Sequence, residues 1–252
     1  MAGHSKWHNI KHRKAGVDKK RGKIFTKHAK LIQVEASLGG GDPDMNPGLR
    51  AAIDNARSDN VPMDNIKRAI EKGTGEGKDA ARIEEVLFEG FGPGNSALYI
   101  QTLTDNRNRT IASMNVIMGK KGGKLGAAGS VGYLFERKGL IEVESAEKPS
   151  DEVQLQMIDA GAMDVKFEDG IIEIYTDPQE LMQVRNKLKE TGIETKSANL
   201  VYIPQTTVAV DDEAQALQLL NLIEALEEDD DIDTVYTNAD IPDEVMEKFS
   251  DS

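Results

Sequence analysis

The sequence predicts an α+β protein with a helical N-terminal domain, an α/β domain, and a ferredoxin-like β-α-β-β-α-β domain inserted into the latter. Three observations predict it. Apolar residues recur at helical spacing between glycine and proline stops up to residue 78, and the period switches to two at Glu84. Between 131 and 203 the patterns alternate in the order strand, helix, strand, strand, helix, strand. At 252 residues the chain is long enough for two or three such units.

The first helix is read from Gly22 to Leu38, with Ile24, Phe25, Leu31, Ile32, Val34 and Leu38 largely on one stripe and Gly39, Gly40 and Gly41 as its stop. Asn46 followed by Pro47 is an N-cap with proline in the first turn, and Leu49, Ala52, Ile53 and Ala56 follow at i, i+3, i+4 and i+7. Pro62 opens a third helix with Met63, Ile66, Ala69 and Ile70 inward, ending at Gly73. Arg50, Arg57, Lys67, Arg68 and Lys72 fall off these stripes, on a face that is either ordinarily solvated or part of a basic surface.

EEVLFEGF and SALYIQTLT alternate as strands around the turn residues Gly92 to Asn95, which predicts a hairpin. RNRTIASMNVIMGKK reads as a helix with Ile111, Met114, Ile117 and Met118 inward, and GGKLGAAGSVG stops it. Beyond it we expect strands at Tyr133 to Phe135 and Leu140 to Val143, a helix over Asp151 to Ala160, and strands at Met163 to Phe167 and Ile171 to Tyr175 about an Asp169-Gly170 turn. A helix from Pro178 to Glu190 and a strand from Glu194 to Tyr202 complete the order. After Pro204, TTVAV and IDTVYTN read as strands flanking the helix DDEAQALQLLNLIEALEE. Short strands are rarely stable alone, so they are expected to pair with the Glu84 to Thr104 hairpin, making the ferredoxin-like unit an insertion. The expected domains are a basic arm (1–21), a helical bundle (22–78), an α/β domain (79–130 plus 204–241) and the inserted domain (131–203).

Charge is distributed unevenly. The first thirty residues hold all four histidines, the single tryptophan and ten lysines or arginines against one aspartate, whereas the rest carries 21 basic and 43 acidic side chains. A basic arm on an acidic body gains affinity for phosphates through counterion release, which points to nucleic acid. Trp7 among Lys6, His8, Lys11, Arg13 and Lys14 suits base stacking beside phosphate contacts; the same composition also describes a plain basic tail. Lys19, Lys20, Arg21 and Lys23 continue the basic run. TDNRNRT places Arg107 and Arg109 in the first turn of a helix, where cations fit the macrodipole poorly. They therefore imply a phosphate, a carboxylate partner or a binding task there, while Asp105, Asn106 or Asn108 supplies a cap. Lys120, Lys121 and Lys124 stand among glycines as in phosphate cradles, but the loop does not fit GxxxxGK[ST]. The acidic run EEDDDID, Glu227 to Asp233, reads as a solvated turn.

Several classes are excluded or unsupported. There is no cysteine, so disulfides, thiolate catalysis and cysteine zinc sites are out. His4, His8 and His12 recur every fourth residue without an acidic ligand beside them, and we assign no metal, no cofactor and no catalytic residue. His28, among apolar neighbours in the first helix, reads as a packed or rim histidine. No apolar run approaches the roughly 20 residues of a membrane helix. The N-terminus is too polar for a secretory signal, so the expected location is the cytoplasm.

MAGHSKWHNIKH, GGGDPDMNPGLRAAIDNARSDNVPMDNIKRAIEKG, FEGFGPGN, LTDNRNRT and GGKLGAAGSVGYLFERKG together resemble the YebC-type family across essentially the whole chain. That family includes bacterial proteins described as probable transcriptional regulators and a mitochondrial translational activator of cytochrome oxidase. The resemblance implies a three-domain, non-enzymatic cytoplasmic protein, and members have been linked both to promoter DNA and to ribosomes. Phe88 and Phe91 stand where relatives often carry tyrosine, and Tyr133 where tryptophan is frequent. The expected function is a non-enzymatic, DNA-binding transcriptional regulator. The alternative is a ribosome-associated translation factor contacting ribosomal RNA through the same residues, and an acidic protein-interaction scaffold is a third class. A monomer is the expected oligomeric state.

Overall fold

Glycine and asparagine set the first helix boundaries. Helix α1 (Lys19–Gly39) begins before the expected Gly22 and ends at Gly40, whose φ of +88° is the left-handed conformation that glycine adopts without strain. The Asn46 side chain then accepts the backbone N–H of Leu49, starting α2 (Pro47–Ser58) with Pro47 in its first turn. The computed structural model describes residues 19–75, 82–168 and 170–250. Within them follow α3 (Met63–Gly73), β1 (Glu84–Phe91), β2 (Ala97–Thr104), α4 (Arg107–Lys121), β3 (Lys124–Leu125) and β4 (Phe135–Glu144). Next come α5 (Asp151–Ala160), β5 (Asp164–Glu168), β6 (Ile171–Thr176), α6 (Leu181–Glu190) and β7 (Ser197–Pro204). Last are β8 (Val208–Ala209), α7 (Glu213–Glu227), β9 (Ile232–Thr237), β10 (Ala239–Asp240) and α8 (Asp243–Ser250). The fold class is α+β.

Two compact units result. One takes the described residues up to Val34, from 82 to Glu136 and from Ile203 onward; the other takes Glu35 to 75 and Arg137–Tyr202. The first is built on a sheet of order β3-β1-β2-β9. Phe88, Ile100 and Val235 lie directly opposite one another across β1, β2 and β9, and that face packs against Met114 and Met118 of α4 and Leu219, Leu222, Ile223 and Leu226 of α7. Side chains alternate across a strand, so Glu89, Tyr99 and Tyr236, also mutually opposite, lie on the other face.

The second unit carries a sheet of order β5-β6-β4-β7, the ferredoxin-like arrangement. Ile141, Val143, Ile172 and Ile174 form one core with Met157 of α5 and Leu181, Val184 and Leu188 of α6. Gly139 in β4 is required by close packing, since a Cβ there would sit 2.2 Å from Thr176 Oγ1. On the reverse face Glu142 and Glu173 are direct cross-strand neighbours, both buried. Like charges so placed repel, and hydroxyl donors offset this: Ser197 donates to Glu142 at 2.5 Å and Tyr175 to Glu173 at 2.7 Å. Burial and the neighbouring Glu173 push the Tyr175 phenol far above its ordinary value.

Three expectations are corrected. TTVAV does not join the hairpin: β9 takes the open edge of β2, and the two-residue β8 pairs in parallel with β10 instead. Tyr133 is not in a strand but in a 3-10 turn, Gly132 to Leu134, and the strand from Phe135 runs unbroken to Glu144. Helix α8 has no counterpart among the expected elements; it is short and acidic, and Val245, Met246 and Phe249 bury its one apolar side in the first unit's core.

Within the second unit α2 is fastened to β7 by Asn55. Its side chain donates to Ala198 O at 3.1 Å and to Asn199 Oδ1 at 2.7 Å, and accepts the Ala198 N–H at 3.3 Å. Arg185 of α6 adds an ion pair to Asp54 at 2.9 Å. Replacing Asn55 by alanine leaves buried backbone groups of Ala198 without partners, which costs about 1–3 kcal/mol. Urea unfolding of Asn55→Ala, followed by circular dichroism, should show that loss in the transition of this unit, while Lys67→Ala on the exposed side of α3 should not reproduce it.

Candidate nucleic-acid interface

The Asn106 side chain accepts the Arg109 N–H at 3.1 Å and caps α4, so Asn106 is the cap among the three candidates. This places Arg107 and Arg109 in the exposed first turn, and both meet carboxylates. Arg107 grips Glu84 through Nε and Nη2 at 2.5 and 2.8 Å. Arg109 donates Nε and Nη2 to Asp231 Oδ2 at 3.1 and 2.7 Å, and Nη2 to Asp105 at 2.8 Å. Of the three partners inferred from the sequence, the carboxylate is the one present. Arg107 is held at one edge, and Arg109 at one edge and by the second proton of Nη2, yet 58% and 54% of the two side chains stay exposed. Glu84 holds the Arg107 pKa above its ordinary value, and Asp231 and then Asp105 do so for Arg109.

The acidic run is not a solvated turn. Asp231 is buried, and its carboxylate accepts from Lys30 at 2.8 Å, from Arg109, and from the hydroxyls of Thr110 at 3.0 Å and Thr104 at 3.4 Å. Backbone carbonyls of the turn take the rest of the α1 lysine stripe: Lys23 Nζ donates to Glu228 O at 2.7 Å, Lys27 to Asp233 O at 2.8 Å, and Lys30 to Asp230 O at 2.7 Å. Ser113 of α4 hydrogen-bonds Asp229. The physical cause is local: the carbonyls of Glu228 at the α7 C-cap and of Asp230 in the turn beyond have no helical partners, and cations on α1 supply them, as Lys27 does for Asp233 at the start of β9. Burial raises the Asp231 pKa, but Lys30 and Arg109 outweigh it and hold the carboxyl below its ordinary value.

The glycine-rich loop is pinned by a residue that stands in none of the candidate contact segments. The Glu89 carboxylate accepts backbone N–H groups of Gly129, Val131 and Gly132 at 2.6, 2.5 and 2.7 Å, and its backbone carbonyl accepts Gly126 N–H at 2.8 Å. Such a nest of amides suits an anion, and here the anion is the protein's own. Burial opposes ionisation of Glu89, but the three amide donors outweigh it and the pKa is lowered. The only local sign of the nest is the spacing of glycines in GAAGSVG, with Gly129 at φ +84°; nothing in EEVLFEGF marks Glu89 as their partner. Lys120 and Lys124 are exposed, Lys121 is partly so, and Lys124 Nζ lies 5.6 Å from the Phe91 ring centre.

Of the other expected contacts, Lys6, Trp7, His8, Lys11, Arg13 and Lys14 lie outside the described residues, as do the side chains of Lys19, Lys20 and Arg21. His28 is partly buried. In the second unit Lys67, Arg68 and Lys72 are exposed on α3. No group of three or more metal-binding side chains occurs among the described residues, and none of their helices is long and apolar enough to cross a membrane.

Comparison with known proteins places these features in a family. Residues 5–76 match the model of the TACO1/YebC protein N-terminal domain, and residues 83–239 match that of the TACO1/YebC second and third domain. The chain belongs to the TACO1/YebC family. It is 48% identical to a protein of Halothermothrix orenii over 253 residues, covering all of both chains, and 48% identical to one of Thermobifida fusca over 250 residues, 99% of this chain and all of the relative. Both carry the name probable transcriptional regulatory protein. A crystal structure of a conserved hypothetical protein from Aquifex aeolicus is similar at a TM-score of 0.85 and 43% identity, covering 90% of this chain and 93% of that one.

Because the folded pKa of Asp231 is depressed, its stabilisation is fully present above the unfolded value near pH 4 and is lost as pH falls through the folded one. Asp231→Asn leaves Lys30 and Arg109 facing a neutral amide; both keep other partners and solvent, so the loss is that of charge-assisted hydrogen bonds, about 1.5–3 kcal/mol. Thermal melts from pH 7 to pH 3 should therefore converge for wild type and Asp231→Asn as the pH drops; parallel curves would assign the stabilisation to other groups.

Proposed function

We propose that this protein is a non-enzymatic, nucleic-acid-binding regulator of gene expression, acting as a transcriptional regulator by binding DNA. The observation that carries the reading is the basic surface of the first unit: two carboxylate-braced arginines at the start of α4, and Lys120, Lys121 and Lys124 at its far end and in the loop that follows. Bracing fixes a guanidinium while leaving more than half of its side chain exposed, and a fixed fork loses little entropy when it meets a phosphate. The names of the relatives support the transcriptional reading. The contacts proposed are Lys6, Trp7, His8, Lys11, Arg13, Lys14, Lys19, Lys20 and Arg21 of the arm, joined to Arg107, Arg109, Lys120, Lys121 and Lys124. Lys23 is a weaker candidate, since its ammonium already donates to the 227–233 turn.

The second reading, a translation factor on ribosomal RNA, is favoured by one observation: among the described residues the cations proposed outside the arm stand at the two ends of α4 and in the loop after it, not along the length of a helix as in a major-groove reader, so the surface suits phosphates rather than base edges. Cytoplasmic location follows from either reading.

Measuring affinity for a promoter duplex and for ribosomal RNA fragments across salt concentrations tests both. Each phosphate that a lysine neutralises adds about 0.7–0.9 to the log–log salt slope, so changing Lys120, Lys121 and Lys124 together to glutamine should flatten it by about two to three units. Sequence-selective duplex binding that survives excess RNA upholds the transcriptional reading. Co-sedimentation with ribosomes alongside non-selective duplex binding replaces it with the translational one, and an unchanged slope removes the loop from the interface.

A further inference from the structure

We infer that Tyr133 is a base-stacking platform, and that the ligand of the glycine loop is therefore an unstacked, single-stranded nucleic acid rather than an intact duplex. The inference rests on the nucleic-acid-binding reading above and narrows it to a substrate class.

Among the described residues Tyr133 is the one exposed large aromatic side chain, with 70% of its surface open. A single exposed apolar group on a slack loop would need no explanation. This one stands on a loop that is not slack. Backbone N–H groups at Gly126, Gly129, Val131 and Gly132 all end on Glu89, and Tyr133 is the residue that follows. One glycine of the loop is dictated by φ, Gly129 at +84°, and another by contact: a Cβ at Gly126 would lie 2.5 Å from Ser130 Oγ and 3.2 Å from the Phe91 ring. The 3-10 turn of Gly132 to Leu134 closes with a Leu134 N–H to Val131 O bond at 2.9 Å, and Phe135, two residues on, is buried and stacked on Tyr99 with ring centres 5.4 Å apart. The backbone on both sides of Tyr133 is thus fixed while its ring is left to solvent.

The same loop begins at the exposed Lys124. An exposed ring on a fixed backbone, with a cation on the same segment, is the combination that holds single strands: the base stacks on the aromatic face and the ammonium takes a phosphate. A base inside a duplex has no free face to offer. Glu89 acts through the loop and is a positioning residue.

The test uses the full-length chain and three probes: an oligo(dT) strand, an oligo(U) strand of equal length, and a duplex of equal length. Stacking of one base on an aromatic ring contributes about 1–3 kcal/mol, so Tyr133→Ala should weaken single-strand binding roughly tenfold. Its salt slope and its duplex affinity should stay as in the wild type, because no charge is removed. Tyr133→Phe should bind within about twofold of the wild type. One abasic position in the oligonucleotide should reproduce the loss in the wild type and add nothing in Tyr133→Ala. Glu89→Gln, with the ring intact, should lose part of the single-strand affinity and regain it in no salt condition. The oligo(dT) and oligo(U) arms show whether melted DNA or RNA is the source. If Tyr133→Ala binds both strands as tightly as the wild type while the triple lysine variant loses affinity, stacking is overturned and the phosphate surface stands. If the wild type binds none of the three probes, both readings fall together.

Discussion

Taking the Asp231 carboxylate out of water costs several kcal/mol unless its oxygens are filled, and four side chains fill them. Lys30 comes from α1, Arg109 and Thr110 from α4, and Thr104 from the end of β2. A carboxylate in this position constrains three elements together, because moving any one of them leaves a buried charge without its partner. The start of α4 is fixed as a consequence. Asn106 N–H donates to Thr104 Oγ1 at 2.9 Å, Thr110 Oγ1 lies 2.8 Å from the same hydroxyl, and Arg109 is drawn back toward Asp231. Two cations in the first turn of a helix oppose the macrodipole, and Glu84, Asp105 and Asp231 supply the negative charge that makes them tolerable there.

The uneven charge of the chain acquires a different meaning from this arrangement. Ten cations in the first thirty residues suggest a continuous phosphate-binding arm. Lys23, Lys27 and Lys30 are nevertheless turned into the protein, where their ammonium groups satisfy carbonyls of the 227–233 turn. The acidic run and the basic helix thus neutralise each other in part. Among the described residues of the first unit, α4 and the glycine loop carry basic charge facing outward.

Elements were legible wherever local chemistry decides them. Asn46-Pro47 starts α2, Asn106 starts α4, and Gly122 at φ +84° ends it, all from signals a few residues long. The ferredoxin-like order was legible because period-two and period-3.6 patterns alternate cleanly between Phe135 and Pro204. What failed depends on distant partners. TTVAV alternates like any strand, and only the occupancy of the β2 edge by β9 decides that it pairs with β10. Asp231 is one acid among several in EEDDDID, and its burial follows from Lys30 and Arg109, residues far away in sequence. In the candidate interface the need of Arg107 and Arg109 for a carboxylate was legible through their misfit with the helix dipole, whereas Glu89 gave no sign because its amide partners lie some forty residues on.

Glu89 and Asp231 solve the same problem in different places. Loops that carry binding residues are usually the mobile part of a fold, and a mobile loop loses entropy when its target orders it. Here the loss is taken at folding. One carboxylate gathers the amides of the glycine loop, and another braces a guanidinium beside a second one held by Glu84. The anions that organise the surface are internal, so the two guanidiniums and the backbone that carries Tyr133 are already set before any ligand arrives. A surface organised in this way gains little from reshaping around a partner, and on the proposed reading its selectivity comes from what these groups can reach.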